Sequence, residues 1–285
     1  MTHNSPSNVR FSGATKYVLD SELAGIVNVS MALEMPLLLK GEPGTGKTML
    51  AYAIAESLDM PLIVLNVKSS MKLIEALYQY DTLTRLNDSR FGDSMREVSN
   101  IDDYIKMGKI GQAFTAPHRT VLLIDEIDKA DTDFQDDMLD VLDQMQFDII
   151  ETDQTIKAVN RPVIIITSNA KKDLSDPFLG RCNFHHIAFP DPKMMRKIID
   201  IHFPDIDKTL AENAINAFFT MRELDGVEKK PATRELINWI RALNADPDFK
   251  SRDLIKGELP FLGVLFKKSP DYDRARSLTP RRRLF

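Results

Sequence analysis

Short apolar runs recur along the first two thirds of the chain: Leu37–Leu39, Pro61–Val67, Val121–Ile124 and Pro162–Thr167. None alternates with polar residues, so each reads as a strand buried on both faces, as in a parallel sheet. β-Branched residues in the later runs favour the same reading. Helical spacing lies between them. Residues 18–35 place Val18, Leu19, Leu23, Ile26, Val27, Val29 and Ala32 on a broken apolar face that ends at Met35-Pro36. Met49–Leu58 and Phe134–Met145 read as further helices, the second amphipathic, and Ile187-Ala188-Phe189 reads as an edge strand. This alternation predicts an α/β fold with helices on a parallel sheet.

The pattern weakens between residues 68 and 118. Met71–Tyr80 reads as a helix capped by Ser69 or Ser70, and Tyr104–Phe114 as another short helix. The mostly polar Thr82–Asn100 between them reads as an exposed insertion or loop, either an ordinary surface excursion or a contact for a substrate or neighbour. Phe147–Ala158 suggests a turn or hairpin around residues 151–155. Pro190-Asp191-Pro192 then marks a hinge. Past it, Pro192–Phe203, Leu210–Leu224 and Pro231–Leu243 are helical, with short helices or turns over Asp246–Lys256 and Leu259–Phe266. The expected domains are residues 1–190 and a helical domain, 191–285, with a basic tail of Arg274, Arg276, Arg281, Arg282 and Arg283.

The chemistry concentrates where strands end. The first strand runs into Gly41-Glu42-Pro43-Gly44-Thr45-Gly46-Lys47-Thr48-Met49, a glycine-rich turn that becomes a helix. This is the P-loop pattern in its proper strand–turn–helix context. Glycines let backbone N–H groups face a phosphate, and the helix start adds its positive end. Lys47 can reach the terminal phosphates, and the Thr48 hydroxyl can ligate Mg²⁺. The strand Val121–Ile124 ends in Asp125-Glu126. An Asp there helps hold Mg²⁺, and the adjacent Glu can polarise an attacking water. Asn169 follows the last central strand and is placed to touch a nucleotide or orient water. Arg234 stands in the first turn of its helix, where a cation is disfavoured unless an anion is near. Arg181 taken alone reads as a surface ion pair. Asp128, Asp131, Asp133, Asp136 and Asp137 read mainly as a solvated acidic face. His185 and His186, adjacent on a strand, face opposite ways and make poor joint metal ligands.

Composition adds limits. A net charge of −5 gives no general attraction for nucleic acid or an anionic membrane. Cys182 is the sole cysteine, which excludes an intrachain disulfide or a cysteine metal cluster and fits a reducing compartment. The N-terminus is polar and no apolar run reaches membrane-spanning length, so the expectation is a soluble, cytoplasmic protein.

Over residues 10–245 these motifs resemble the AAA+ ATPases, and more narrowly the MoxR-like and dynein-related group. Gly41–Thr48 matches Walker A, and Ile124-Asp125-Glu126 closes Walker B. Asn169 sits at the sensor-1 position, Arg181 at that of the arginine finger offered to a neighbouring subunit, and Arg234 resembles the sensor-2 arginine. Cys182 occupies a position that is often aromatic in the family. The resemblance implies a parallel sheet in the order 5-1-4-3-2 flanked by helices, a C-terminal helical lid, ATP with Mg²⁺, and a homo-oligomeric hexameric ring. It also implies chaperone-like remodelling or assembly of a protein client, with a von Willebrand factor A domain protein as a partner. A nucleic-acid-associated motor, suggested by the arginine-bearing tail, and a nucleotide-controlled scaffolding ring stay open as alternatives.

Overall fold

The computed structural model describes residues 10–92, 97–169, 172–246, 249, 254 and 257–278. These fall into two compact units. The first holds the described chain up to Gly41 and from Gly46 to Ile187, and the second holds Glu42–Thr45 and the described chain from Ala188 onward.

The first unit begins with α1 (Ser21–Leu33), capped by the Asp20 carboxylate, which accepts from the Leu23 N–H at 2.7 Å. β1 (Leu37–Lys40), α2 (Lys47–Ser57) and β2 (Leu62–Asn66) follow. Next come α3 (Leu73–Leu77), β3 (Tyr78–Tyr80), α4 (Thr82–Phe91), β4 (Ile105–Met107) and α5 (Lys109–Phe114). The unit continues through β5 (Val121–Asp125), α6 (Thr132–Gln144), β6 (Gln146–Ile149), β7 (Gln154–Lys157), β8 (Val163–Ser168), α7 (Asp176–Gly180) and β9 (Asn183–His186).

Five strands form one sheet in the order β2-β5-β8-β1-β9, with every neighbouring pair parallel. Successive side chains point to opposite faces. Leu37, Leu39, Val121, Leu123, Val163 and Ile165 therefore share one cluster with Leu23 and Val27 of α1 and Leu50 and Ile54 of α2. Leu38, Leu122, Ile124, Ile164 and Ile166 share the other with Phe114, Met138 and Leu142. Helices on both faces explain why these strands carry no alternating polar residue. The edge strand lies at Asn183–His186, earlier than the expected Ile187-Ala188-Phe189. Its residues alternate between half-buried and exposed, so it lacks the continuous apolar signal of the inner strands.

The stretch after β2 departs furthest from the pattern. The helix expected over Met71–Tyr80 stops at Leu77. Tyr78–Tyr80 then extends and pairs antiparallel with Ile105–Met107, which replaces the first part of the helix expected from Tyr104. The N-cap of α3 is Lys72 without a side-chain bond, not Ser69 or Ser70. The expected loop at 82–100 contains α4. Asp81 starts this helix by accepting from the Thr84 N–H at 3.0 Å, and Gly92 closes it in the left-handed region. None of its residues is buried, so no apolar stripe announces it. Polar contacts hold it: Arg85 donates to the Tyr80 hydroxyl at 2.6 Å, and the Tyr104 hydroxyl donates to Asp88 at 3.0 Å. The hairpin expected around 151–155 is formed by β6 and β7, with Phe147 opposite Ile156.

α5 packs on the end of α3 through bare backbone. A Cβ at Gly111 would lie 2.2 Å from the Leu77 carbonyl oxygen. Gly111→Ala is therefore expected to destabilise the fold by about 1–3 kcal/mol, an overpacking penalty, read as a lower denaturation midpoint. An unchanged midpoint would contradict the close approach.

The second unit is helical: α8 (Pro192–His202), α9 (Lys208–Arg222), α10 (Thr233–Ala245), α11 (Leu262–Leu265) and α12 (Ser269–Leu278). Asp191 and Asp207 cap α8 and α9, each accepting an N–H at 2.7 Å three residues on. Its core includes Phe218, Leu236, Trp239 and Leu265, and Trp239 donates its ring N–H to Pro260 at 2.7 Å. Arg222 is also buried. Its guanidinium lies 3.5 Å from the Phe189 ring centroid, bonds the Pro231 carbonyl, and donates to Glu42 Oε2 at 2.9 Å. Arg274 and Arg276 lie on α12, where Arg274 bonds the Asp225 carbonyl. Arg281, Arg282 and Arg283, the first nine residues, and most of Asp246–Lys256 fall outside the described residues.

Candidate active site

The C-terminal end of β1 passes through Gly41 into the glycine turn. Gly46 takes φ 92° at the N-cap of α2, a conformation that side-chain-bearing residues avoid. The N-cap residue, Gly46, has no side chain to cap this helix start, an arrangement in which the first N–H groups can face an anion. The Thr45 hydroxyl donates to the Glu42 carbonyl at 3.0 Å and folds the turn. Lys47 opens α2, is buried, and its Nζ donates to the Gly41 carbonyl at 2.8 Å. Met49, within the first turn of the helix, is exposed.

Thr48 follows Lys47, and its hydroxyl donates to Asp125 Oδ1 at 3.0 Å. The parallel register sets Ile124 of β5 beside Ile166 of β8, which brings Asp125 next to Thr167. The Thr167 hydroxyl donates to the same Asp125 oxygen at 2.6 Å and accepts from the Glu126 N–H at 2.9 Å. Thr167 thus fixes both acids from the neighbouring strand. Glu126 has φ 60° and ψ 50°. A non-glycine residue there costs on the order of 1–3 kcal/mol, and such residues cluster at active sites. Asn169 Nδ2 donates to Glu126 Oε1 at 2.9 Å, and the Asn169 N–H donates to the buried Asp128 at 3.2 Å. Lys129 pairs with Glu126 Oε2.

Lys47, Thr48, Asp125, Glu126 and Asn169 therefore meet at one end of the sheet. Thr48 and Asp125 offer hard oxygens at one point, a donor set that suits Mg²⁺, which keeps several of its own waters. Glu126 stands beside them as a carboxylate oriented by an amide, able to accept a proton from water. Arg181 is not part of this group. It ends α7 and pairs with two α6 carboxylates, Asp140 at 3.4 Å and Asp143 at 2.9 Å. Arg234 belongs to the second unit, exposed at the second position of α10.

Part of the acidic run departs from a solvated face. Asp128 is buried and receives the Asn169 N–H; Asp131 caps α6 by accepting from Phe134 at 2.9 Å; Asp136 accepts from Ser175 at 2.8 Å. Asp131, like Asp133 and Asp137, is exposed, as expected of a solvated face. His185 is half-buried and His186 exposed on β9, consistent with opposite directions. Burial, with Asp143 adding, pushes the Cys182 thiol up to about 12, which keeps it protonated and unreactive.

Sequence reasoning misses Thr167, Lys129 and Arg222. A threonine closing a buried strand two residues before Asn169 is a usable signal for the first. Lys129, three residues past Glu126, is hidden because pairing depends on the turn conformation. Arg222 has no local signature, since its partner Glu42 is 180 residues away.

One curated relative with which the chain aligns is a Lon protease of Mycoplasma mobile, 33% identical over 156 residues, covering 51% of this chain and 16% of the relative. A second is the 26S proteasome regulatory subunit S10B homolog B of Arabidopsis thaliana, 26% identical over 237 residues, covering 73% of this chain and 50% of the relative. The chain thus spans half or less of the length of these relatives. Among solved structures, NtrX from Brucella abortus in complex with ADP superposes with a TM-score of 0.53 at 17% identity, over 84% of this chain and 54% of that one, a likeness of fold. The family model for the ATPase family associated with various cellular activities matches residues 37–190, from β1 through the strand ends that carry Asp125-Glu126 and Asn169 and past β9. With that match over more than half of its length, and with nucleotide binding implied by it, the chain belongs to the AAA family of ATPases.

Proposed function

We propose that this chain hydrolyses ATP with Mg²⁺ and uses the cycle to remodel or assemble a protein partner. The observation that carries the reading is the continuous network Thr48–Asp125–Thr167–Glu126–Asn169 beside the P-loop. It joins a metal-binding pair to a carboxylate base through one hydroxyl. Lys47 and the start of α2 hold the phosphates, Thr48 and Asp125 hold the ion, and Glu126 takes a proton from the attacking water. Bound Mg²⁺ supplies charge neutralisation at the phosphates.

The reading extends to a ring, hexameric by family resemblance, in which Arg181 serves the neighbouring nucleotide and Arg234 the chain's own. A protein client is supported by the names of the relatives, a protease and a proteasome regulatory subunit. The MoxR-like placement, a von Willebrand factor A domain partner and a cytoplasmic location belong to the same proposal. Among the described residues no helix is long and apolar enough to cross a membrane.

The test is phosphate release from ATP by the purified chain. Release is expected with Mg²⁺ and is expected to stop when EDTA removes the ion. No release with Mg²⁺ at any protein concentration, despite bound ATP, would refute hydrolysis. Equal release with and without EDTA would refute the metal assignment.

A further inference from the structure

Both oxygens of the Glu126 carboxylate are engaged, and the partners differ in kind. Oε1 receives the neutral amide of Asn169 at 2.9 Å; Oε2 receives the ammonium of Lys129. The turn Ile127–Lys129 builds the second contact. The left-handed backbone of Glu126 folds the chain back, and the Lys129 N–H donates to the Glu126 carbonyl at 3.0 Å, so the two side chains meet across three residues. The bond to Glu126, with the negative field of Asp125 and Asp128 adding to it, raises the ammonium's affinity for its proton. The Lys129 side chain is 41% exposed and that of Glu126 34%, so water competes for this pair.

The two contacts have opposite consequences for a base. An amide on one oxygen orients the carboxylate without cancelling its charge. An ammonium on the other oxygen occupies an acceptor site and neutralises the charge that would draw a proton from water. We propose that Lys129 is a positioning residue that restrains the Glu126 base, and that hydrolysis proceeds when the ammonium leaves Oε2. The triphosphate is the competitor of matching chemistry, because its charge arrives at Lys47 and Thr48, and Thr48 is bonded to the neighbouring Asp125. This inference rests on Glu126 being the base, and it adds that the basal rate is set in part by a lysine outside both strand-end motifs.

The experiment compares steady-state ATP hydrolysis by the wild-type chain, Lys129→Gln, Lys129→Met and Lys129→Arg, each also in a Glu126→Gln background. Removing the charge is expected to raise kcat about two- to fivefold, the scale of an exposed ion pair, with KM for ATP within about twofold. Lys129→Arg keeps the charge and is expected to remain nearer to wild type than either neutral variant. The gain is expected to vanish in the Glu126→Gln background. A kcat for both neutral variants at or below wild type, with unchanged ATP affinity and melting curve, would overturn the inference. So would a gain that survives Glu126→Gln. Wild-type turnover by Glu126→Gln alone would instead remove the base itself, and the inference with it. Inactive Glu126→Gln with no acceleration in the neutral variants would remove only the restraint.

Discussion

Glu126→Gln is expected to lower steady-state ATP hydrolysis by about 10²–10⁴-fold, the span of a lost general base, while the protein still holds ATP. Glutamine matches glutamate in size and keeps a carbonyl oxygen for the Asn169 amide, so the 2.9 Å contact can persist. The backbone N–H that fixes position 126 on Thr167 is untouched. Thr48, Asp125 and Lys47 are unchanged, so the phosphate and metal contacts proposed for them are expected to survive. What disappears is a group able to take a proton from water. Phosphate release and equilibrium ATP binding, measured on the same preparation, separate the two effects. A wild-type rate would show that another group is the base. Loss of binding together with turnover would show that Glu126 supports the fold of the site instead.

Arg181→Ala is expected to reduce hydrolysis by about 10³–10⁵-fold, the effect of losing a catalytic arginine, and only where chains assemble. In this chain the guanidinium lies against Asp140 and Asp143, with the three side chains 41%, 63% and 43% exposed. Exposed pairs of this kind contribute little, roughly 0–1 kcal/mol, so an incoming phosphate can displace them. A guanidinium directed at developing phosphoryl charge stabilises the transition state far more than it stabilises a surface ion pair. Mixing inactive Arg181→Ala with inactive Glu126→Gln chains is expected to restore part of the activity, because some interfaces then combine an intact base with an intact arginine. No recovery at any ratio, with co-assembly shown, would count against action in trans. A fully active monomer would end the assignment.

The sequence by itself determined the parts whose physics is local. Glycines at 41, 44 and 46 followed by Lys47 and Thr48 specify a turn and helix start, because backbone freedom and the first-turn N–H groups belong to adjacent residues. Apolar runs ending in Asp125-Glu126 and Ser168-Asn169 specify inner strands with polar ends, because a strand covered on both faces admits no alternation. Asp191 before Pro192 specifies a helix start in the same local way. Where burial is partial, the code thins. β9 is half-exposed and was displaced from its expected place, and α4 buries nothing, so its cap at Asp81 and its links to Tyr80 and Tyr104 had no periodic signal beside them. Tertiary structure alone decided what crosses long separations. The register of β5 on β8 puts Thr167 between two acids 42 and 41 residues away, and no spacing rule encodes that register. The left-handed turn at Glu126 brings Lys129 onto the carboxylate, and α6 brings Asp140 and Asp143 to Arg181. The charge state and direction of a side chain depend on which groups the fold sets beside it, and those groups are chosen by packing.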